Sequence, residues 1–210
     1  QRKRTAFPRF YFLSNENLLK IFAEARNPKA VQPFLPKLFD GIHTLEFASQ
    51  GQDILAMCSI EGEKIPLLRC QTVGAIEAWL SNVEKGMRMS LHKIFKTGRD
   101  EYEMMPRVEW IQKHPAQVIS VVSQIYFSKS VNDAISEEDS IEGLTKLRNS
   151  MEENLSSLAD VVRLQLPRAM RSGIVALITL DVHSRDIVSE LIQSEVSSVD
   201  DFEWTKRLRY

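Results

Sequence analysis

The sequence predicts a mainly α fold: a multi-helix bundle with one small β-hairpin or short sheet near residues 45–68. Three observations lead there. Glycine is scarce, 8 of 210 residues or about 4%, against a usual ~7%, which disfavours a turn-rich all-β fold. Apolar residues step by three or four through most of the chain, the period of an amphipathic helix. One stretch, from Leu45 to Leu68, breaks that period and carries a hairpin signal.

The elements follow in order. The opening segment Ala6 to Leu13 is rich in aromatic rings, and Pro8 holds Phe7 extended. Ser14 or Asn15 caps a short helix whose apolar face is Leu18, Leu19 and Phe22. Asn27-Pro28 begins another, with Pro28 at its first position; Pro33 and Pro36 keep it short or kinked, and Gly41 ends it. Ile54 to Ile60 and Lys64 to Leu68 flank Glu61-Gly62-Glu63 as a hairpin, with Leu45 to Phe47 as a third strand. Pro66 places the second hairpin strand at an edge.

A long helix follows, with Val73, Ile76, Leu80, Val83, Met87, Leu91 and Ile94 on its stripe, Thr72 as its cap and Gly98 as its stop. Asp100 to Met105 reads as a short helix ended by Pro106. Pro115 opens the next, with Val118, Val122, Ile125, Val131 and Ile135 inward, although Val118 to Phe127 also suits a strand. Asp139 and Glu142 resemble a capping box for a helix from Ser140 to Leu166, ended by Pro167. Ile174 to His183 reads either as a buried parallel strand or as part of one helix. The unbroken period through Ile192 selects a helix from Ala169 to Glu195, apolar on most sides at its middle. Asp200 or Asp201 caps a last helix, Phe202 to Tyr210.

Composition narrows function mostly by exclusion. Lys and Arg number 27 and Asp and Glu 28, a net charge of −1, so no global field draws in nucleic acid or an acidic membrane. Cys58 and Cys70 form no CxxC pair and read as reduced thiols. The longest apolar run, Gly173 to Leu180, is far short of the ~18 residues that suggest a membrane span. The opening Gln1-Arg2-Lys3-Arg4 lacks Met and an apolar core, which suggests an excised fragment without a signal peptide.

Chemistry-bearing patterns are sparse. The eight glycines lie too far apart for GxGxxG or GxxxxGK[ST], whose phosphate cradles need them a few residues apart. His43, His92, His114 and His183 pair with no further ligand at metal spacing. Glu61 and Glu63 read as a solvated turn. Asp181 and His183 hold letters of a hydrolase triad, but on a helix they diverge by about 100° per residue; His183 is then a packed, hydrogen-bonded helix-contact residue. The ring-rich segment with Arg9 could stack nucleobases, yet too few basic residues interleave it, and core packing or a protein contact is the expectation. Arg2-Lys3-Arg4 and Lys206-Arg207 read as solvated helix ends. No catalytic, cofactor-binding or metal-binding residue is therefore predicted.

Specific blocks then point further. Ala6-Phe-Pro-Arg-Phe-Tyr-Phe-Leu-Ser-Asn15, with Leu18-Leu19, resembles the signature opening the second N-terminal region of dynein heavy chains. Asn27-Pro-Lys-Ala-Val-Gln-Pro33, Leu38-Phe-Asp-Gly41, Ser59-Ile-Glu-Gly-Glu-Lys64, and Trp79-Leu80 with Val83-Glu84 follow in order. So do Pro115-Ala-Gln-Val118, Ser123-Gln-Ile125, Asp181-Val-His-Ser-Arg-Asp186 and Asp201-Phe-Glu-Trp204 with Leu208-Arg-Tyr210. Asn27-Pro28 with Val31-Gln32, and Leu180-Asp-Val-His183, are similar to the ciliary, axonemal type. The short hairpin region leans towards an inner-arm type.

The resemblance implies one fragment, 1–210, of the dynein linker, an elongated multi-helix bundle shaped as a rod. Its parts are short helices plus hairpin (1–70), a long-helix bundle (71–200) and the start of the junction to the AAA+ ring (201–210). It implies a mechanical element that bends and straightens over the ring, converting ATP hydrolysis into minus-end-directed microtubule sliding in cilia and flagella. The fragment would be no enzyme; ATP and Mg would belong to the ring of the parent motor ATPase. Partners would be that ring, the microtubule through a distant stalk, and intermediate and light chains through the upstream tail, with no nucleic acid or membrane. The location implied is the cytoskeleton of the cytoplasm, in the axoneme of a cilium or flagellum. Arg9, Phe10, Tyr11 and Phe12 become candidate mechanical or contact residues, and Phe202, Trp204, Arg209 and Tyr210 candidate ring-junction residues. The alternatives are a helical scaffold that binds another protein and, more remotely, a small α/β hydrolase using Asp181 and His183.

Overall fold

The computed structural model describes residues 2–49 and 52–209, with the side chains of Arg69, Leu208 and Arg209 outside the description. It is mainly α with one short sheet, as the periodicity requires. The element order is α1 (Arg2–Ala6), α2 (Asn15–Ala23), α3 (Leu35–Leu38), β1 (Thr44–Phe47), β2 (Asp53–Cys58), β3 (Lys64–Gln71) and α4 (Ile76–Glu101). Then come α5 (Arg107–Lys113), α6 (Ala116–Ile135), α7 (Ser140–Val162), α8 (Arg168–Gln193) and α9 (Phe202–Thr205). Short 3-10 turns cover Pro8–Phe12, Pro28–Phe34 and Lys206–Arg209. Packing divides the chain into two compact units, Gln1–Lys96 and Thr97–Tyr210, the division falling within α4. The expected sub-parts, cut by element type, divide instead at 70/71.

In the first unit the sheet is antiparallel, ordered β1-β2-β3. Ala56 pairs with Pro66, and β3 is the edge strand that a proline lacking an N–H can occupy. Buried Leu45, Ile54, Met57, Ile65 and Leu67 meet Phe7, Phe10, Leu35 and Phe39 from the N-terminal turns and Trp79, Leu80 and Val83 from α4. α4 comes close to β3 at Gly86, where an added Cβ would stand 2.1 Å from Cys70 Sγ.

In the second unit α6, α7 and α8 pack on one another. One buried cluster gathers Val131, Ile135, Leu144, Val188, Leu191, Val196 and Trp204. Asp139 caps α7 by accepting from the Glu142 N–H at 3.0 Å.

Several local expectations are corrected. Thr72 is no helix cap: its N–H and hydroxyl both donate to the Gln52 carbonyl, at 2.7 and 3.2 Å, closing the end of the sheet. The chain then turns at Gly74, φ +87°, before α4 begins at Ile76. Gly98 does not stop α4, which continues to Glu101 and absorbs the start of the expected 100–105 helix. Gly98 serves close approach instead, since a Cβ there would stand 2.6 Å from Val118 Cγ1. α5 was not anticipated. α7 ends at Val162, short of Leu166. α8 buries one face, Ile174, Leu177, Asp181, Ser184 and Val188, while Val175 is exposed and Ile178 only half-buried. Ile125 likewise is exposed.

Two stability outcomes follow. Leu177→Ala should cost roughly 2–5 kcal/mol in urea unfolding, because Leu177 is fully buried; Ile178→Ala should cost clearly less. Gly143→Ala should destabilise by about 1–3 kcal/mol, since its Cβ would lie 2.5 Å from the Ala134 carbonyl oxygen.

Candidate functional site

In the first unit the candidate contact residues divide cleanly. Phe7 is extended (φ −136°, ψ 93°) and Pro8 starts a 3-10 turn. Backbone bonds Phe10 N–H to the Phe7 carbonyl (3.1 Å) and Leu13 N–H to the Phe10 carbonyl (3.2 Å) set a three-residue repeat. Side chains three apart therefore eclipse, and Phe7, Phe10 and Leu13 are all buried. Phe10 meets Phe7 edge-on with centroids 5.0 Å apart and Phe22 edge-on at 5.8 Å. Tyr11 and Phe12 fall between and face solvent, 63% and 70% exposed, as does Leu19.

Arg9 ties this segment down. Its Nη1 donates to the Leu38 carbonyl at the end of α3 (2.9 Å), its Nη2 lies 3.5 Å from Glu84 Oε1 on α4, and its guanidinium stands 4.9 Å from the Phe39 ring centroid. Burial pushes the Glu84 carboxyl up, but hydrogen bonds from Arg9 and Arg88 outweigh it and hold the group below the usual carboxylate range. The basic start is also engaged, against expectation. Lys3 pairs with Glu77, and Arg4 donates to the Leu13 carbonyl at 2.9 Å while lying over Tyr11.

In the second unit Asp201 caps α9, accepting from the Glu203 N–H at 2.8 Å. Trp204 is buried, with its indole N–H on Asn132 Oδ1 at 2.8 Å and its ring edge-on to Phe127. Phe202 is 71% exposed, with the Lys206 ammonium over its ring. Lys206 and Arg207 pair with Glu203 and Glu190, so this basic end is not simply solvated. Tyr210 and the Arg209 side chain lie outside the described residues.

The hydrolase alternative does not survive. Ile174 to His183 lies within α8, not in a strand, and His183 is exposed rather than packed at a helix contact. Asp181 instead pairs with Arg107 of α5, Nη2 to Oδ2 at 2.6 Å, both side chains largely buried. Burial pushes the Asp181 carboxyl above its ordinary value, the Arg107 guanidinium pulling it partly back. Sequence reading missed Arg107 because α5 itself was missed. The available signal was Asp181's place on the same α8 face as Leu177, Ser184 and Val188, at helical spacing. Among the described residues no cluster of three His, Cys, Asp or Glu could hold a metal ion, and no helix is long and apolar enough to cross a membrane.

Comparison with known proteins completes the picture. Residues 1–98 match the family described as dynein heavy chain, N-terminal region 2. The whole chain aligns with human axonemal dynein heavy chain 6 at 42% identity over 232 positions, covering 6% of that protein. It also aligns throughout with rat axonemal dynein heavy chain 12 at 39% (7% of that protein) and with human axonemal dynein heavy chain 1 at 39% (5%). The chain belongs to the dynein heavy chain family, within the N-terminal region. Its type is axonemal, and it spans 5–7% of the length of these relatives.

The ion pair sets two outcomes. A cleft of about 140 Å³ is lined by both Arg107 and Asp181; because it admits water, Arg107→Ala should cost about 3 kcal/mol, the low end for a broken buried pair. Asp181→Asn should cost much less at neutral pH. Since folding raises the Asp181 pKa, its favourable contribution is present below the unfolded value of about 3.9 and lost as pH rises through the folded value. The stability of the wild type relative to Asp181→Asn, measured by urea unfolding from pH 3 to 7, should therefore fall with rising pH above about 4 and then level off.

Proposed function

We propose that this chain is a mechanical linker element of an axonemal dynein motor, bending and straightening over the AAA+ ring of the same heavy chain. The observation that carries the reading is the alignment of its whole length with axonemal heavy chains at 36–42% identity. In this reading the chain has no catalytic role. ATP and Mg bind the ring, microtubules meet the parent chain through its stalk, and intermediate and light chains join through the tail. The motion would serve minus-end-directed sliding in the axoneme.

The N-terminal aromatic segment suits a coupling contact. Its 3-10 repeat anchors Phe7 and Phe10 while presenting Tyr11 and Phe12, and Arg9 holds the turn to α3 and α4. A presented surface on an anchored turn can engage and release a partner without unpacking the core. The same exposed rings also favour the second reading, a scaffold that binds another protein.

Tyr11→Ala and Phe12→Ala separate the two readings in the full heavy chain. Both should leave folding nearly unchanged, since surface substitutions usually shift stability within about 0.5 kcal/mol. Microtubule gliding should drop severalfold while basal ATPase is retained. Gliding equal to wild type at equal folded protein would remove the coupling role. Calorimetry on the 210-residue chain should show no stoichiometric ATP binding at micromolar affinity; such binding would contradict the assignment of ATP to the ring alone.

A further inference from the structure

Within the first unit α4 has two unlike faces. Its inner face packs on the sheet: Val83 is buried, Gly86 stands against Cys70, and Ser90 Oγ accepts from the Leu68 N–H at 3.0 Å. The outer face carries Lys85, Arg88, Met89, His92, Lys93 and Lys96, all exposed. At 3.6 residues per turn and 1.5 Å rise these six lie within about 140° of one another, along about 16–17 Å of helix.

This face is strongly basic, although the chain as a whole carries a net charge of −1. From Lys85 to Lys96 there are four Lys and Arg and no Asp or Glu. The acids of α4 in this unit are Glu77 and Glu84, and both are already engaged. Lys3 pairs with Glu77, while Arg9 and Arg88 share Glu84 at 3.5 and 2.8 Å. Lys85, Lys93 and Lys96 enter no ion pair among the described residues. Lys85 with Arg88, and Lys93 with Lys96, are like charges one turn apart, an arrangement that repels. An acidic partner laid along the helix would relieve that repulsion and meet three uncompensated ammonium groups.

The rest of the face says which kind of acidic partner fits. Met89 is 56% exposed among the lysines, and its flexible thioether adapts to varied apolar side chains. A polypeptide supplies acids and an apolar side chain together; a phosphate backbone supplies only the charge. The one Phe of this stretch, Phe95, is half-buried, so no Phe, Tyr or Trp ring stands free to stack a base. Nor is there an apolar stripe to enter a bilayer, because Met87, Leu91 and Ile94 pack against the core. We infer that the outer face of α4, from Lys85 to Lys96, is a docking surface for an acidic polypeptide segment that sets carboxylates on Lys85, Lys93 and Lys96 and an apolar side chain on Met89.

The test uses a fluorescein-labelled synthetic peptide, four repeats of Glu-Glu-Leu-Glu, with the 210-residue chain. Fluorescence anisotropy measures binding, and carbodiimide coupling with mass spectrometry identifies the amines that its carboxylates meet. Binding should saturate at micromolar peptide and weaken at least fivefold from low to physiological salt, as screening of exposed charges requires. Coupling should fall on Lys85, Lys93 and Lys96, and in the full heavy chain on the same three. Lys85→Gln, Lys93→Gln and Lys96→Gln together should weaken binding at least tenfold, with an unaltered circular dichroism spectrum. Lys20→Gln, Lys29→Gln and Lys37→Gln together remove the same charge from other exposed lysines of the unit and should change binding less than twofold. Equal losses in the two triple variants would overturn the proposal, as would non-saturable binding. So would tighter binding of an oligouridylate of equal charge or of phosphatidylserine vesicles, which would make the face a nucleic-acid or membrane surface. Protection of the three lysines in the full heavy chain would mean that the rest of that chain covers them, and would overturn it too.

Discussion

The Arg107–Asp181 pair is the interaction around which the helical unit is arranged. A carboxylate in the middle of a buried helix face is tolerated only with a partner that repays part of its desolvation. That requirement fixes which turn of α8 meets the start of α5, because Asp181 and Arg107 must reach 2.6 Å. Once α5 is placed, Trp110 donates to the Gly98 carbonyl at 2.8 Å. Tyr102 then packs edge-on to Trp110 and stacks on Tyr126 of α6, at 4.9 and 4.1 Å between centroids. Burial pushes the Tyr102 phenol above its ordinary value. One polar requirement thus orders the end of α4, α5, α6 and α8 together.

That polar seam also explains why α8 is one-sided, although its sequence is apolar on most sides at its middle. Ile174, Leu177 and Val188 lie on the face that carries Asp181 and Ser184, so the inward stripe is mixed. Val175, off that stripe, remains in water. Hydropathy counts how apolar a segment is; it does not say which face finds neighbours.

What was legible in the sequence was local. Ser14, Asn27, Asp139 and Asp201 cap where their side chains can accept from nearby N–H groups, and each does so in the structure. The three strands and the edge place of Pro66 follow from alternation and from proline's missing donor. The failures were residues whose local meaning is overridden by a distant partner. Thr72 has capping chemistry but is used by Gln52, and Gly98 has stop chemistry but is used by Val118. His183 had neighbours in sequence and none that drew it inward. α5, seven residues between prolines, was too short for its period to register.

The aromatic segment shows the same limit at finer scale, and it bears on function. Its cluster of rings was evident, but a helical reading at 3.6 residues per turn does not separate the inner rings from the outer ones. The 3-10 repeat does, because at three residues per turn positions 7, 10 and 13 share one edge. Those three are buried, while Tyr11 and Phe12 are not. Proline at the first position of the turn and the extended Phe7 before it are the local causes of that geometry. The consequence is a division of labour within six residues. Phe10 acts on stability, so a loss of motor function in a Phe10 variant could not be told from a loss of fold. Tyr11 and Phe12 face solvent outside that packing, so a contact role for the segment can be tested in them without disturbing the core.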